Sequence, residues 1–95
     1  MTDQIKSIQE KVVPILQQAD VVRSSLFGSY VRGEETSESD VDILIEFEGK
    51  KTLLDLVDLK EKLEHVLGRD VDLITYKSIT PRLKSFIEQE EIRIL

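Results

Sequence analysis

The chain has 95 residues, no cysteine and a formal net charge of −6, with 40% hydrophobic and 34% charged residues. A chain of this length can bury one modest core, so we predict one domain over residues 1–95. The composition excludes disulfides and thiolate metal sites and is typical of a cytoplasmic globular protein. No apolar run reaches membrane-spanning length, and the negative charge argues against a domain that binds nucleic acid by itself.

The first predicted elements are a helix over about residues 3–18 and a strand over residues 21–27. Apolar residues recur at helical spacing in the first segment, whereas the second is rich in strand-forming residues. Pro14 lacks an N–H group and clashes with the preceding turn, so we expect a kink or break in the helix. Ser24 and Ser25 interrupt the apolar strand, which indicates that the strand is partly exposed.

A glycine turn follows the first strand and opens a short predicted helix over about residues 30–34, with a polar loop to Ser39. Backbone N–H groups at a helix start are unpaired and lie at the positive end of the helix dipole. Gly28 allows close backbone approach and Ser29 adds a hydroxyl, so this turn is predicted to bind a phosphate oxygen. Arg32 could pair with that phosphate or with an acidic residue of the loop.

The second predicted strand, over residues 41–47, begins with two aspartates. Because side chains alternate along a strand, Asp40 and Asp42 point one way and the intervening apolar residues the other. Two nearby carboxylates repel each other unless a cation lies between them, and oxygen ligands favour magnesium or manganese. The pair therefore predicts a catalytic metal site; its plainer interpretation is two aspartates that cap a turn.

Three further elements complete the predicted fold. A helix over about residues 52–67 should end at Gly68, and a strand over residues 71–75 follows. The buried stripe of that helix is predicted to contain Leu53, Leu56, Val57, Leu63, Val66 and Leu67. Thr80 and Pro81 form a helix start, with the helix running to about residue 89. Residues 92–95 fit either an edge strand or an extended tail.

The order of these elements predicts an α/β (α+β) fold with a small mixed sheet packed against helices. The long helix between the second and third strands indicates a parallel, right-handed crossover. The first and second strands must be antiparallel if the glycine turn is to meet the aspartates. In that arrangement Asp72 can face the same side as Asp40 and Asp42, and Asp70 replaces it if the register shifts by two. Three carboxylates would hold two magnesium ions.

Other polar and aromatic residues carry weaker predictions. Lys77 and Arg82 follow the third strand and could meet a triphosphate. Tyr76 could stack on a base, but ordinary packing is the preferred interpretation. His65 lies outside the apolar stripe of its helix and is interpreted as a solvated surface residue.

The combination of motifs resembles a known signature. Gly28-Ser29, ten intervening residues and Asp40-x-Asp42 are similar to the pattern of the nucleotidyltransferase superfold shared with DNA polymerase beta. Extended with Arg32-Gly33 and Ser39, the pattern resembles the smallest branch, the minimal nucleotidyltransferases. These are commonly antitoxins of HEPN/MNT toxin–antitoxin pairs. A lone Asp-x-Asp or a lone Gly-Ser is weak evidence for this family, but the two motifs together at this spacing are specific for it.

The resemblance implies a polymerase beta-like fold, catalytic Asp40 and Asp42, and Asp72 as third metal ligand. It implies nucleotide contacts from Gly28, Ser29 and Arg32, two Mg²⁺ ions, and ATP as substrate.

The implied reaction transfers AMP from ATP to a tyrosine of a HEPN ribonuclease toxin. The protein would then be a cytoplasmic antitoxin in a hetero-oligomer, without direct contact to nucleic acid or membrane. Two alternatives remain: a non-catalytic antitoxin that neutralises its toxin by binding alone, and a transferase acting on a small molecule such as an antibiotic.

Overall fold

The computed structural model of the protein describes residues 3–28 and 40–95. In chain order its elements are α1 (Asp3–Gln18), β1 (Val21–Phe27), β2 (Val41–Phe47), α2 (Leu53–Leu67), β3 (Val71–Thr75), a 3₁₀ turn (Tyr76–Ser78), α3 (Pro81–Glu90) and β4 (Ile92–Arg93). The described strands form a mixed sheet in the order β3-β2-β1-β4. Only β2 and β3 run parallel; β1 is antiparallel to both of its neighbours. The predicted fold class and strand directions are confirmed.

Two predicted features fall outside this description. The short helix over about residues 30–34 and the polar loop to Ser39 lie outside the described residues. None of the described helices is both long and apolar enough to span a membrane.

Pro14 does not break the first helix. Of the predicted kink or break, the break is therefore wrong. α1 runs from Asp3 to Gln18 with Pro14 inside it. The proline cannot donate to the carbonyl of Glu10, but both residues are exposed, so water can satisfy that carbonyl. The opposite side of the helix buries Ile5, Ile8, Val12 and Leu16.

The first strand is partly exposed, as expected, but at Val22 and not at the serines, because Ser24 and Ser25 are both fully buried. The Ser24 hydroxyl donates to the carbonyl of Leu44 at 2.8 Å. The Tyr76 hydroxyl donates to Ser25 Oγ at 2.7 Å. Each serine thus enters the interior with a hydrogen-bond partner, which removes most of the cost of burying a hydroxyl.

The main core lies between one face of the sheet and the helices α1 and α2. Leu59 and Leu63 are the buried residues of α2, with Leu56, Val66 and Leu67 packed beside them. Leu53 and Val57, predicted to be buried, are 74% and 44% exposed. The α2 residues facing the core are centred on Leu59 and Leu63, so Leu53 and Leu54 at the start of the helix point to solvent.

A capping box begins α2. Asp55 N–H donates to Thr52 Oγ1 at 3.3 Å, and Thr52 N–H donates to Asp55 Oδ2 at 2.8 Å. The hydrogen bond from the Thr52 backbone, followed by one from the Thr52 hydroxyl to Asp55 Oδ2 at 3.1 Å, lowers the pKa of the Asp55 carboxyl. The helix ends at Gly68, whose left-handed conformation (φ 67°) fits the predicted C-terminal cap.

Replacement of Thr52 by Ala is expected to lower the Tm by about 4–8 °C, the usual effect of losing an N-cap in a small domain. Because the folded pKa of Asp55 is lowered, its contribution is present above the ordinary aspartate pKa and disappears as the pH falls through the folded value. Thermal unfolding at neutral and acidic pH tests this. Thr52→Ser, which keeps the hydroxyl, is the control; an equal loss in both variants would contradict the capping role.

α3 and β4 close the chain. Thr80 occupies the N-cap position of α3 as predicted, but its side chain makes no capping hydrogen bond there; Pro81 takes the first helical position. Ile92 and Arg93 pair with Leu26 and Ser25, so the last residues form the edge strand rather than a free tail.

Candidate functional site: paired aspartates beside a glycine turn

Asp42 and Asp72 lie side by side on adjacent parallel strands. They are direct Cα partners in the register of β2 and β3. Directly aligned residues of parallel strands share a face and are about 4.8 Å apart between strands. Their apolar neighbours Val41 and Val71 are buried on the opposite face, while Asp42 is half-buried and Asp72 exposed. The two carboxylates therefore share the face that α1 and α2 leave uncovered, which we call the aspartate face.

Asp40 lies immediately before β2 and is exposed. It stands two residues before Asp42, as the prediction requires, but it is outside the regular strand. Asp70 occupies the equivalent position before β3, where its backbone carbonyl accepts a hydrogen bond from Val41 N–H at 3.0 Å. The observed register makes Asp72, and not Asp70, the direct neighbour of Asp42.

The glycine turn lies against Asp42. Phe27, the last residue of β1, pairs with Asp42, and Gly28 follows with φ +80°. A Cβ built on Gly28 would overlap the Asp42 carboxylate oxygen Oδ2 and would lie 2.9 Å from its Cγ. Glycine is thus required here twice, for its backbone conformation and for the space that the carboxylate occupies.

Two predicted nucleotide contacts, Ser29 and Arg32, lie outside the described residues. Their assignment stays a prediction. The described part of the site contains Gly28, Asp40, Asp42 and Asp72.

The carboxylates suit a divalent cation by chemistry, but they are not assembled as a three-ligand cluster. Within residues 3–28 and 40–95, no three acidic, histidine or cysteine side chains form a group able to hold a metal ion. The register brings together two carboxylates, Asp42 and Asp72, on adjacent strands, and oxygen ligands of this kind fit Mg²⁺. The set of three metal ligands stays a prediction.

A polar network that sequence reasoning missed covers the far end of the aspartate face. The guanidinium of Arg23 lies 4.2 Å from the centroid of the Tyr76 ring, and its Nη2 is 3.7 Å from Glu91 Oε1. Burial raises the pKa of the Tyr76 hydroxyl, which donates to Ser25. One ring face of Tyr76 is therefore occupied by Arg23, in agreement with the packing interpretation. These residues are distant in sequence, and no local pattern predicts their contact.

Comparison with known proteins explains the constellation of a glycine turn and paired aspartates. The nucleotidyltransferase domain family matches residues 9–94. The chain belongs to this family. It is a nucleotidyltransferase, and the resemblance seen in the motifs is confirmed.

Three similar proteins define its position in the family. A candidate protein adenylyltransferase of Methanocaldococcus jannaschii is 52% identical over 91 residues, which cover 96% of this chain and 98% of the relative. The structure of a candidate minimal nucleotidyltransferase is 37% identical, with a TM-score of 0.82 over 95% of this nucleotidyltransferase and 92% of that chain. A chain from a toxin–antitoxin crystal structure with AMP-PNP is 25% identical, with a TM-score of 0.81 over 92% of this chain and 72% of that one.

Proposed function

We propose that this nucleotidyltransferase transfers AMP from ATP to a tyrosine hydroxyl of a partner HEPN ribonuclease toxin and thereby acts as its antitoxin. The observation that carries the proposal is the register of Asp42 with Asp72 beside the Gly28 turn. The adenylyltransferase description of the 52% identical relative supports AMP as the transferred group. The toxin–antitoxin complex with an ATP analogue supports a toxin as partner and ATP as donor.

In the proposed reaction the tyrosine oxygen attacks the α-phosphorus of ATP. A phosphorus–oxygen bond forms to the tyrosine, the bond between the α-phosphorus and the bridging oxygen breaks, and pyrophosphate leaves. The phenolic proton passes to solvent or to one of the site carboxylates. Positioning and charge neutralisation provide most of the rate enhancement in such transfers.

Each predicted site residue has a role in this proposal. Gly28 brings the backbone of the turn close to a phosphate, with Ser29 and Arg32 as further nucleotide contacts. Asp40, Asp42 and Asp72 would hold Mg²⁺, with two ions expected. When bound, such ions neutralise the charge of the triphosphate and lower the pKa of the attacking hydroxyl. The half-buried position of Asp42 between Gly28 and β3 orients its carboxylate.

The similar toxin–antitoxin complex also supports the setting of the reaction. We propose a hetero-oligomer in which the toxin presents its tyrosine. The net charge of −6 and the absence of cysteine support a cytoplasmic protein that does not itself bind nucleic acid.

Labelled ATP, magnesium and the toxin co-purified with this chain provide the test. We expect label on the toxin and an intact mass increased by whole AMP units, both absent when Asp42→Asn replaces the wild type. Full neutralisation of the toxin by Asp42→Asn, without label, would instead identify a non-catalytic binding antitoxin. Label on an added small-molecule hydroxyl but none on protein would identify the small-molecule transferase.

A further inference from the structure

A cavity of about 360 Å³ lies at the opposite end of β2 from the aspartates. Its lining includes three lysines, Lys50, Lys51 and Lys77, with the apolar Ile45 and Phe47 and one carboxylate, Glu46. Ile45 and Phe47 lie three and five residues after Asp42 on β2, so the cavity lining is about 10–16 Å from Asp42 along the strand. Lys77 therefore lines a cavity at the end of β2 that is away from Asp42.

The charge of this cavity differs in sign from that of the whole chain. Three of its lining side chains are cationic and one is anionic, in a protein of net charge −6. Lys51 is engaged by Asp20, whose Oδ2 accepts from its Nζ at 2.7 Å, and this hydrogen bond raises the pKa of Lys51. Lys50 and Lys77 are exposed and lie in no ion pair with any of residues 3–28 and 40–95. Two ammonium groups thus remain available to a ligand.

Backbone donors add to the ammonium groups. The turn between β2 and α2 contains Gly49 with φ +71°, followed directly by Lys50 and Lys51. Within the described part of the chain, the backbone N–H groups of these three residues have no protein acceptor. Consecutive unpaired N–H groups at a turn with a left-handed residue are a recurrent setting for anions.

We propose that this cavity, the lysine pocket, binds the phosphate group of a small molecule at a site separate from the aspartates. Residues from two segments of the chain line the pocket: Gly49, Lys50 and Lys51 of the turn after β2, and Lys77 of the 3₁₀ turn after β3. A phosphate presents several acceptor oxygens and can accept from both segments at once. The cavity volume lies within the range of small-molecule sites, and the apolar wall would suit a ligand with a ring attached to the phosphate.

Titration of the isotope-labelled full chain, followed by NMR at constant ionic strength without magnesium, tests the proposal. The probes are inorganic phosphate, AMP and adenosine. We expect phosphate and AMP, but not adenosine, to shift the amide signals of residues 49–51 and 77. Tighter binding of AMP than of phosphate would identify a nucleotide pocket, and equal binding would identify a site for the phosphate group alone. Shifts confined to residues 27–28, 40–42 and 72 would overturn the proposal.

A pair of charge-matched variants makes the test specific. Lys50→Gln with Lys77→Gln is expected to weaken phosphate binding at the pocket roughly tenfold, because two charge-assisted contacts are lost at an exposed site. Lys6→Gln with Lys60→Gln removes the same charge from exposed positions outside the pocket and should leave the affinity unchanged. Equal weakening in both variants would show general electrostatic attraction and overturn the proposal. Their unfolding curves report whether each variant is folded.

Discussion

Replacement of Asp72 by Asn is expected to lower the rate of AMP transfer at least about a hundredfold, the usual scale for losing a charge-stabilising group at a reacting phosphate. The side chain keeps its size but loses the negative charge that is proposed to hold Mg²⁺ together with Asp42, its partner in the register of β2 and β3. Since Asp72 is exposed, folding should be unaffected. Initial rates of label transfer from ATP, with magnesium and acceptor in excess, measure the effect.

Asp70→Asn is the matched control for this prediction. Asp70 is exposed, is two residues away, and contributes its backbone carbonyl to the pairing with Val41, a contact that the substitution leaves in place. The variant should retain most of the activity. A large loss in Asp70→Asn with little loss in Asp72→Asn would mean that the site uses a different register, and would remove Asp72 from the proposed mechanism.

The second large effect is expected at the glycine turn. In Gly28→Ala the new methyl group would occupy the position of the Asp42 carboxylate, so Asp42 must move. The positive φ of +80° adds backbone strain of about 1–2 kcal/mol. We expect activity to fall about a hundredfold or more, together with a lower Tm, as seen in label transfer and thermal unfolding.

Gly68→Ala separates the effect of backbone strain from the effect of displacing the Asp42 carboxylate. Gly68 also has a positive φ, +67°, but nothing lies within 4 Å of a Cβ built there. This variant should lose stability by a similar backbone strain and keep its activity. If Gly28→Ala retained full activity, the close approach of the turn to Asp42 would have no part in catalysis.

The strands and their side-chain alternation could be predicted because they depend on local patterns. β1, β2 and β3 begin and end at the predicted residues. An alternating strand such as β2 has to place Asp42 and Ile43 on opposite faces wherever it lies. The long helix between β2 and β3 predicted that these two strands would be parallel.

Predictions failed where burial depends on a distant partner. By residue type Ser24 and Ser25 indicate an exposed part of the strand, yet the Leu44 carbonyl of β2 and the Tyr76 hydroxyl of the 3₁₀ turn satisfy their hydroxyls in the interior. Leu53 and Val57 are apolar and suitably spaced, yet α2 turns its Leu59 side to the core. Periodicity shows which side chains share a face, but only packing shows which face is covered.

The amino-acid sequence by itself determined the family, the positions of the strands and the candidate residues, since each depends on residue type and spacing along the chain. The tertiary structure decided that Asp42 is aligned with Asp72 rather than Asp70, and that Asp42 lies against Gly28. It also brought Lys77 to the turn that contains Lys50. These contacts join residues far apart in sequence, and their geometry is set by strand register and helix packing, which are properties of the assembled sheet.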